Sequence, residues 1–350
     1  MTGSYLDEIM EQPLALHRSI DAYPVGDPNW ARLVQKIQAG DYRQVILTGM
    51  GSSFYSCYPI WLSLNRHKIP ATMWETSELI HYAPEVIDEQ ALLVAVSQSG
   101  EGAEIKRLTL MKERPGVCIS VTNGTDNVLA RWADVPLNTQ AGDEAAASNK
   151  TYITALAVLH LMGCQFTGQD VGIAQHTLYR ASRTLGEFLA EWASKDGEEF
   201  DFLLPCRALA FIARGPSVAS AMTGAVITEE TSKVLCKAIS AAQFRHGPME
   251  VVREGFRAVV FAGNNTTRTL NVRLASEIGS FGGKVLLVTC APDASDVTTG
   301  VVQLSIPRAE STVLPIFEII PVQLLTIALA RADGYEPGTF VHCNKVTMEE

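Results

Sequence analysis

Residues 91–101 read ALLVAVSQSGE, an apolar run of six residues that ends in a loop of small polar residues. A continuous apolar run of this length predicts a strand buried on both faces, as in a parallel sheet covered by helices. Similar runs lie at 44–47 and 117–121, and each is followed by sequence compatible with a helix. This alternation predicts an open α/β sheet, in which ligands bind outside the carboxyl ends of the strands.

The second half of the chain repeats this plan. Apolar runs at 208–212, 258–261 and 284–288 are again separated by helical sequence. A last short run at 302–306 matches one at 135–137 in the first half. The chain is therefore interpreted as a duplicated α/β unit, with two similar domains of ordinary size.

We expect five segments. They are an N-terminal helical segment at 1–35, a first domain at 36–168, a helical connector at 169–200, a second domain at 201–335 and a tail at 336–350.

Composition excludes several classes of function. The chain has 350 residues, of which 47% are hydrophobic and 19% charged, as in globular domains with a sizeable core. Its net charge of −10 argues against nucleic acid or an anionic membrane as a main partner. A small anion is not excluded, because local backbone dipoles can bind phosphate on an acidic protein.

Cellular location follows from three further features. The seven cysteines are scattered and form no CxxC pair, which indicates reduced thiols in a cytoplasmic protein. The N-terminus is amphipathic and acidic, unlike a signal peptide. The most apolar stretch, 313–330, is interrupted by Pro315, Glu318 and Pro321, so a buried helix explains it better than a membrane span.

Small hydroxyl residues gather at two strand ends of the first half. The sequence GMGSS occupies 49–53 and SQSGE occupies 97–101, and both precede helical sequence. Serine hydroxyls and the free N–H groups of a helix start are suitable donors for a phosphate. Serines that merely cap helices would look the same, but two such loops in one sheet favour an anion site. Neither loop is a nucleotide-binding fingerprint, since GMGSSF lacks the third glycine of GxGxxG.

The second half lacks these serine loops. Its distinctive segments are ITEETSK at 227–233 and FRHGPM at 244–249. From the residues alone, Glu230 reads as a solvated helix carboxylate and His246 as a packed turn histidine. A carboxylate and a histidine are nevertheless what an enolisation needs, one to move a proton between carbons and one to open a sugar ring.

These motifs together resemble the tandem sugar isomerase (SIS) domain family, in particular the isomerase half of glucosamine-6-phosphate synthases and its stand-alone relatives. SQSGEGAE at 97–104 is similar to the family's SQSGETAD and is the most specific of the motifs. The segment 224–252 is similar, without gaps, to the stretch from the catalytic glutamate to HGP. Over most of the chain, the resemblance implies two tandem SIS domains, each an open parallel five-stranded sheet in flavodoxin-like order. Further similar segments are GMGSSFYS at 49–56, AGDEAAASNK at 141–150 and KVTMEE at 345–350.

The resemblance also implies roles for individual residues. Glu230 corresponds to the glutamate that moves a proton between C1 and C2. His246 corresponds to the ring-opening histidine, which in the family reaches across a dimer interface, and Lys345 to the lysine of a mobile C-terminal tail. The implied phosphate-binding residues are Ser52, Ser53, Ser97, Gln98 and Ser99. The other implied substrate contacts are Gly51, Gly102, Glu144 and Ala146.

Three positions depart from the family pattern. Gly102 stands where the family has a threonine, which removes one hydroxyl from the phosphate loop. Ile227 replaces a lysine one turn before the catalytic glutamate, and Thr223 replaces a glutamate earlier on the same helix. These changes leave the phosphate-binding serines and Glu230 in place but alter the expected surroundings of an amino group.

The expected activity is that of an aminosugar-6-phosphate isomerase and deaminase, acting as a homodimer without metal or other cofactor. A deglycase that splits a sugar phosphate from an amino acid is an alternative, because Ile227 and Thr223 would suit a bulkier amine. A ketose/aldose phosphate isomerase is a third enzyme reading. A non-catalytic sugar-phosphate sensor is the alternative from another class, although it would not need Glu230, His246 and Lys345.

Overall fold

The computed structural model describes residues 4–193, 197–263, 267–293, 295 and 298–349. The chain forms two compact units. The first unit, named here the serine unit, comprises Glu11–Glu144, Ser148–Arg183 and His342–Glu350. The second, named the glutamate unit, comprises Met1–Met10, Ala145–Ala147 and Thr184–Val341.

The helices and strands alternate along most of the chain. In order they are α1 Tyr5–Met10, α2 Gln12–Asp21, α3 Pro28–Ala39, β1 Gln44–Gly49, α4 Gly51–Ser56, α5 Tyr58–Arg66, β2 Ala71–Glu75, α6 Thr76–Tyr82, β3 Ala91–Val96, α7 Ala103–Thr109, β4 Val117–Thr122, α8 Val128–Trp132, β5 Val135–Asn138, α9 Lys150–Phe166, α10 Val171–Trp192, β6 Ala208–Ala213, α11 Val218–Ser232, β7 Leu235–Ser240, α12 Ala241–Arg245, β8 Arg257–Phe261, α13 Arg268–Ser280, β9 Lys284–Thr289, β10 Val301–Ser305 and α14 Pro315–Ala332. Short 3₁₀ helices lie at Pro84–Val86, Glu198–Leu203, Gly215–Ser217 and Pro248–Val251.

Each unit contains a five-stranded parallel sheet. The strand order is β2-β1-β3-β4-β5 in the serine unit and β7-β6-β8-β9-β10 in the glutamate unit. Both orders are the flavodoxin-like 2-1-3-4-5 arrangement, and the predicted fold class is confirmed. Because all strands in a sheet run the same way, the loops after β1, β3, β4 and β5 lie at one edge, where such sheets bind ligands.

The core of the serine unit follows from its apolar strands. All six residues of β3 are buried, and Leu92–Val94 of that strand have no exposed surface. Helix α9 covers the sheet and buries every residue except Gln165. Burial of apolar surface is the dominant favourable contribution to folding, so α9 and β3 form the centre of this core.

The glutamate unit is built around α11 and α14. Helix α14 is long and apolar enough to be a candidate membrane span, but 78% of it is buried inside the protein. It packs against α11, so the expectation of a buried helix at 313–330 is confirmed. Gly224 makes the contact close, because a Cβ there would lie only 3.2 Å from the Phe211 ring and 3.3 Å from Val322.

Two strands were not foreseen from individual apolar runs. They are β2 and β7, each the edge strand next to the first strand of its sheet. Both are only partly buried, and their residues mix polar and apolar types. An edge strand of this kind gives no continuous apolar run.

Candidate functional site

The SQSG loop after β3 has a fixed local geometry. Ser97 Oγ accepts the backbone N–H of Gly100 at 3.1 Å, and Ser99 Oγ accepts that of Glu101 at 3.2 Å. Gly100 has a φ of +64°, and a Cβ on it would lie 2.0 Å from Asn127 Oδ1. Only glycine can therefore occupy this turn without displacing the Asn127 side chain.

Glu101 holds the same loop against the start of α8. Its Oε1 accepts the N–H of Val128 at 2.8 Å, and its Oε2 lies 3.4 Å from the ammonium of Lys106. The N–H of Leu129 also donates to the carbonyl of Gly100 at 3.2 Å. The loop is therefore positioned by protein contacts before any ligand binds.

The hydroxyls of Ser97 and Ser99 retain capacity for a ligand. Both side chains are partly exposed, and both hydroxyls act as acceptors inside the loop. Within the part of the chain that the structure describes, neither hydroxyl donates to a protein acceptor. Both serines therefore cap the turn, as the alternative interpretation predicts. Each O–H proton is nevertheless still available to bind an anion.

The GMGSS loop leads directly from β1 into the short helix α4. Gly51 begins that helix with a φ of +50°, and Ser52 and Ser53 occupy its first turn with partly exposed side chains. The Ser53 carbonyl accepts the hydroxyl of Ser56 at 2.7 Å. Of the serines in this loop, Ser53 borders the pocket described next, whereas Ser52 does not.

A pocket of about 260 Å³, part of it open to solvent, lies between the carboxyl edge of the serine unit's sheet and the start of α9. Most of its lining side chains carry a hydroxyl or an amide. The structure brings Ser53 and Gln98 together there, while Ser97, Ser99 and Gly102 lie outside the lining. The full lining is Ser53, Val96, Gln98, Val121, Thr122, Asn123, Thr139, Ser148, Thr151, Tyr152 and Ala155.

Six polar residues of this pocket were missed from the sequence: Thr122, Asn123, Thr139, Ser148, Thr151 and Tyr152. Three of them follow or end β4 and β5, two lie in the first turn of α9, and Ser148 lies two residues before that helix. The available signal was the position of polar residues directly after apolar runs, which was used for β1 and β3 but not for β4 and β5. The start of α9 joins the site only through the tertiary fold.

Glu144 and Lys345, both expected to contact substrate, contact each other in the serine unit. Lys345 Nζ lies 2.7 Å from Glu144 Oε2, and the Glu144 side chain has no exposed surface. The same carboxylate accepts the N–H groups of Asn149 and Thr151 and the hydroxyl of Thr151, at 2.7 to 3.0 Å. Glu144 therefore caps the start of α9 and holds the tail lysine.

The tail makes a second contact near the SQSG loop. The carbonyl of Thr347 accepts the N–H of Ala103, the first residue of α7, at 3.1 Å. Gly102 lies beside this contact, and a Cβ on it would be 3.8 Å from the Thr347 carbonyl oxygen. The tail thus covers the position where the family has a threonine.

Glu230 lies in the last turn of α11 and is partly buried in the glutamate unit. The helix ends at Lys233, whose φ of +62° is left-handed. The Lys233 ammonium donates to the backbone carbonyls of Glu230 and Thr339. Burial lowers the pKa of Lys233, and the negative charge of Glu230 opposes that shift. Lys233 was not among the site residues predicted from the sequence, although it follows Glu230 by three residues.

His246 and Ala146 have different environments in the glutamate unit. His246 is exposed at the end of α12, where its backbone N–H donates to the Gln243 carbonyl at 3.0 Å. Ala146 is buried, and a Cβ on Gly338 would lie 2.8 Å from the Ala146 Cβ. The exposed imidazole is accessible to a ligand or a second chain, whereas the Ala146 side chain is packed.

Glu318 is a buried acid. From the sequence it was noted only as an interruption of the apolar run at 313–330. Its side chain lies in α14, and its two carboxyl oxygens accept the hydroxyls of Ser217 and Ser220, each at 2.7 Å. Burial raises the pKa of Glu318 to about 7, although the two serine hydrogen bonds lower it. These serines lie at the start of α11, directly after the loop that follows β6.

Comparison with known families agrees with both halves of the fold. The model described as "SIS domain" matches residues 41–163 and 202–331. This chain belongs to the SIS domain family.

Among the residues that the structure describes, no group of three His, Cys, Asp or Glu side chains is placed to hold a metal ion.

Individual SIS relatives are similar in sequence and structure. A glutamine–fructose-6-phosphate aminotransferase (isomerizing) of Pyrococcus horikoshii is 29% identical over 344 residues, which cover 95% of this chain and 55% of that protein. The chain thus spans about half the length of this curated relative. The C-terminal domain of glucosamine-fructose-6-phosphate aminotransferase from Francisella tularensis has a TM-score of 0.82 at 20% identity, covering 97% of this chain and 98% of that one. Glucosamine-6-phosphate deaminase from Thermotoga maritima has a TM-score of 0.75 at 20% identity, covering 99% and 100%.

Proposed function

We propose that this chain is a phosphosugar isomerase, and more specifically an isomerase and deaminase of an aminosugar 6-phosphate. The observation that carries the proposal is the polar pocket at the carboxyl edge of the serine unit's sheet. It joins Ser53 and Gln98 in a family whose relatives are named for sugar-phosphate reactions. The adjacent hydroxyls of Ser97 and Ser99 still have protons to donate to a phosphate.

The proposed reaction uses the two units for different tasks. Hydroxyls of the serine unit hold the 6-phosphate, and His246 moves the ring-oxygen proton as the sugar ring opens. Glu230 then removes the C2 proton and returns it to C1, while a second proton passes from the nitrogen to O1, which leaves an imine at C2. Water hydrolyses the imine to a ketose phosphate and ammonia. General acid–base steps of this kind contribute about 10² to 10⁴-fold to a rate.

The deglycase alternative receives no support from the two residues that suggested it. Ile227 and Thr223 are both fully buried in α11, so neither leaves additional space at the protein surface for a bulkier amine. The smaller aminosugar substrate is therefore the preferred proposal. The ketose/aldose isomerase remains the second candidate, because it would use the same proton transfer from the same Glu230.

We also propose that the enzyme is a cytoplasmic homodimer. The exposed position of His246 supports this proposal, as do the exposed side chains of Leu235 and Val251, at 69% and 58% exposure. Leu235 lies on the edge strand β7 and Val251 in the 3₁₀ helix Pro248–Val251, and exposed apolar residues of this kind are typical of an association surface. Light scattering on the purified chain tests the dimer, and a monomeric mass would contradict it.

The activity can be tested with three substrates in deuterated water. Purified chain is incubated with glucosamine 6-phosphate, fructose 6-phosphate or a fructosamine 6-phosphate adduct of an amino acid. We expect ammonia and fructose 6-phosphate from the first substrate, with solvent deuterium at C1 when the transferred proton exchanges. Release of the amino acid from the adduct would instead support the deglycase. Tight binding of a sugar phosphate without turnover or deuterium incorporation would support the sensor and contradict the enzyme.

A further inference from the structure

Thr139 follows the last strand of the serine unit's sheet and lines the same pocket as Ser53 and Gln98. The residue is only 3% exposed, and its Oγ1 has no hydrogen-bond partner among the described residues. Its backbone N–H donates to the Thr122 carbonyl at 2.9 Å, which fixes the residue at the end of β5. Burying a hydroxyl without a partner is unfavourable, so such a group is expected to meet a ligand or a water.

Three other polar side chains of the pocket already have protein partners. The Thr122 hydroxyl donates to the Gly124 carbonyl at 2.6 Å, and the Thr151 hydroxyl donates to Glu144. The Asn123 amide contacts the backbone of Gly142 and Ala141. Thr139 differs from these three neighbours because it lines the pocket and its buried hydroxyl has no protein partner among the described residues.

The sheet order indicates which part of a ligand Thr139 can reach. Strand β5 lies two positions from β3, and neighbouring strands are about 4.8 Å apart. Thr139 is therefore roughly 10 Å across the sheet edge from the loop that contains Gln98. A phosphate held by the SQSG loop would not extend that far, but the carbon chain attached to it would.

We propose that the Thr139 hydroxyl is a further substrate-binding residue, which forms a hydrogen bond with a hydroxyl or amino group on the carbon chain of the sugar phosphate. This inference rests on the proposed function and adds a determinant of sugar recognition to it. Thr139 recognises the sugar and not the phosphate, so it discriminates a phosphosugar from free phosphate in the same pocket.

Calorimetric titration of Thr139→Val tests the inference, because valine keeps the shape and removes the hydroxyl. The probes are glucosamine 6-phosphate, fructose 6-phosphate and inorganic phosphate. We expect the dissociation constant of at least one sugar phosphate to rise about three- to ten-fold, the range for one lost hydrogen bond, and that of inorganic phosphate to stay unchanged. Thr139→Ser should retain most of the affinity.

A matched control is Thr72→Val. Thr72 lies in β2 of the same unit, its Oγ1 is also buried without a hydrogen-bond partner among the described residues, and it does not line the pocket. Thr72→Val should alter no affinity. Thermal melts should show that Thr139→Val is as stable as the wild type, because no protein hydrogen bond is lost.

Three results would overturn the inference alone: unchanged sugar-phosphate affinity in Thr139→Val, equal weakening of sugar phosphate and inorganic phosphate, or a loss in Thr139→Ser as large as in Thr139→Val. The last would indicate that the methyl group matters and not the hydroxyl. Failure of the wild-type chain to bind either sugar phosphate would contradict the proposed function and this inference together.

Discussion

The loop after β3 in the serine unit and the loop after β6 in the glutamate unit both bring serines to the start of a helix, although β6 occupies the sheet position of β1 and not that of β3. In the serine unit, the hydroxyls of Ser97 and Ser99 keep protons that no described protein group accepts. In the glutamate unit, Ser217 and Ser220 donate theirs to the buried carboxyl of Glu318. The same fold thus leaves one set of hydroxyls for a ligand and satisfies the other with an internal acid.

This difference explains how a duplicated fold can divide its tasks. The carboxyl of Glu318 already accepts both serine hydroxyls, so neither has a proton left to donate to a phosphate. Helix α11 of the glutamate unit is free to carry Glu230 at the opposite end. The serine unit, whose polar pocket is lined by Ser53 and Gln98, is the one that we propose to hold the phosphosugar.

The largest expected effect separates catalysis from binding. Glu230→Gln keeps the shape of the side chain but cannot accept a proton, so turnover of glucosamine 6-phosphate should fall about 10² to 10⁴-fold. Affinity for the sugar phosphate, measured by calorimetry, should remain within about two-fold because the serine unit is unchanged. Glu229→Gln, on the exposed neighbouring residue of α11, is the control and should retain turnover. Near-wild-type turnover in Glu230→Gln would refute the assignment of the base.

The second effect concerns the internal acid of the glutamate unit. The pKa of Glu318 is about 7 in the folded protein, against 4.5 for an ordinary glutamate. Ionisation favours the unfolded chain between these values, so the contribution of Glu318 to stability is complete below about pH 4.5 and falls as pH rises to about 7. The wild type should lose about 3 kcal/mol over this range relative to Glu318→Gln, which cannot ionise.

Urea unfolding of both proteins from pH 4.5 to 8 measures this difference. Glu250→Gln, which changes an exposed carboxylate in the same unit, should follow the wild type at every pH. Parallel pH profiles for the wild type and Glu318→Gln would show that Glu318 does not titrate between folded and unfolded states as its buried position requires.

The third effect compares the loss of the hydroxyls in each of the two serine pairs. Replacing Ser97 and Ser99 together by alanine should raise the dissociation constant of inorganic phosphate at least ten-fold, because hydrogen bonds to a charged group are stronger than neutral ones. Replacing Ser217 and Ser220 together by alanine should leave the dissociation constant of inorganic phosphate unchanged. It should lower the free energy of unfolding by about 2 to 4 kcal/mol, because Glu318 loses both hydrogen-bond donors. Phosphate binding that is weakened by the second pair would contradict the division of tasks.

The sequence was sufficient for those parts of the fold that are apolar and continuous. Strand β3 was predicted with its observed bounds because all six of its residues are buried. Edge strands β2 and β7 were not, because each has one side partly open to solvent and carries mixed residues. Burial on both faces produces a continuous apolar run, whereas partial burial with mixed polar and apolar residues, as in β2 and β7, does not.

The same distinction applies to the sites. The serine loops could be found because their residues are adjacent in the chain. Thr139 could not be found in this way, because its pocket is formed by several strand ends and the start of α9, which are distant in the sequence. Glu318 lies 101 residues from Ser217 in the sequence, so their hydrogen bond had no local signal at all.

The smallest expected effect strengthens the serine unit. Gly102 has a φ of −60° and a ψ of 158°, which any residue can adopt, and a Cβ there would lie 3.7 Å from Glu104 Oε2 and 3.8 Å from the Thr347 carbonyl oxygen. Gly102→Thr therefore fits, and it adds the hydroxyl that the family has at this position. We expect the dissociation constant of inorganic phosphate to fall about three- to ten-fold.

Gly102→Val separates the hydroxyl from the side-chain volume, because it has the shape of threonine without the donor. It should bind phosphate no more tightly than the wild type. Equal affinities for the threonine and valine variants would mean that residue 102 does not face the anion, and that the tail contact between Thr347 and Ala103 closes this side of the loop to a phosphate. The glycine would then belong to the docking of the tail, and the phosphate would be held by Ser53, Gln98 and the two loop serines alone.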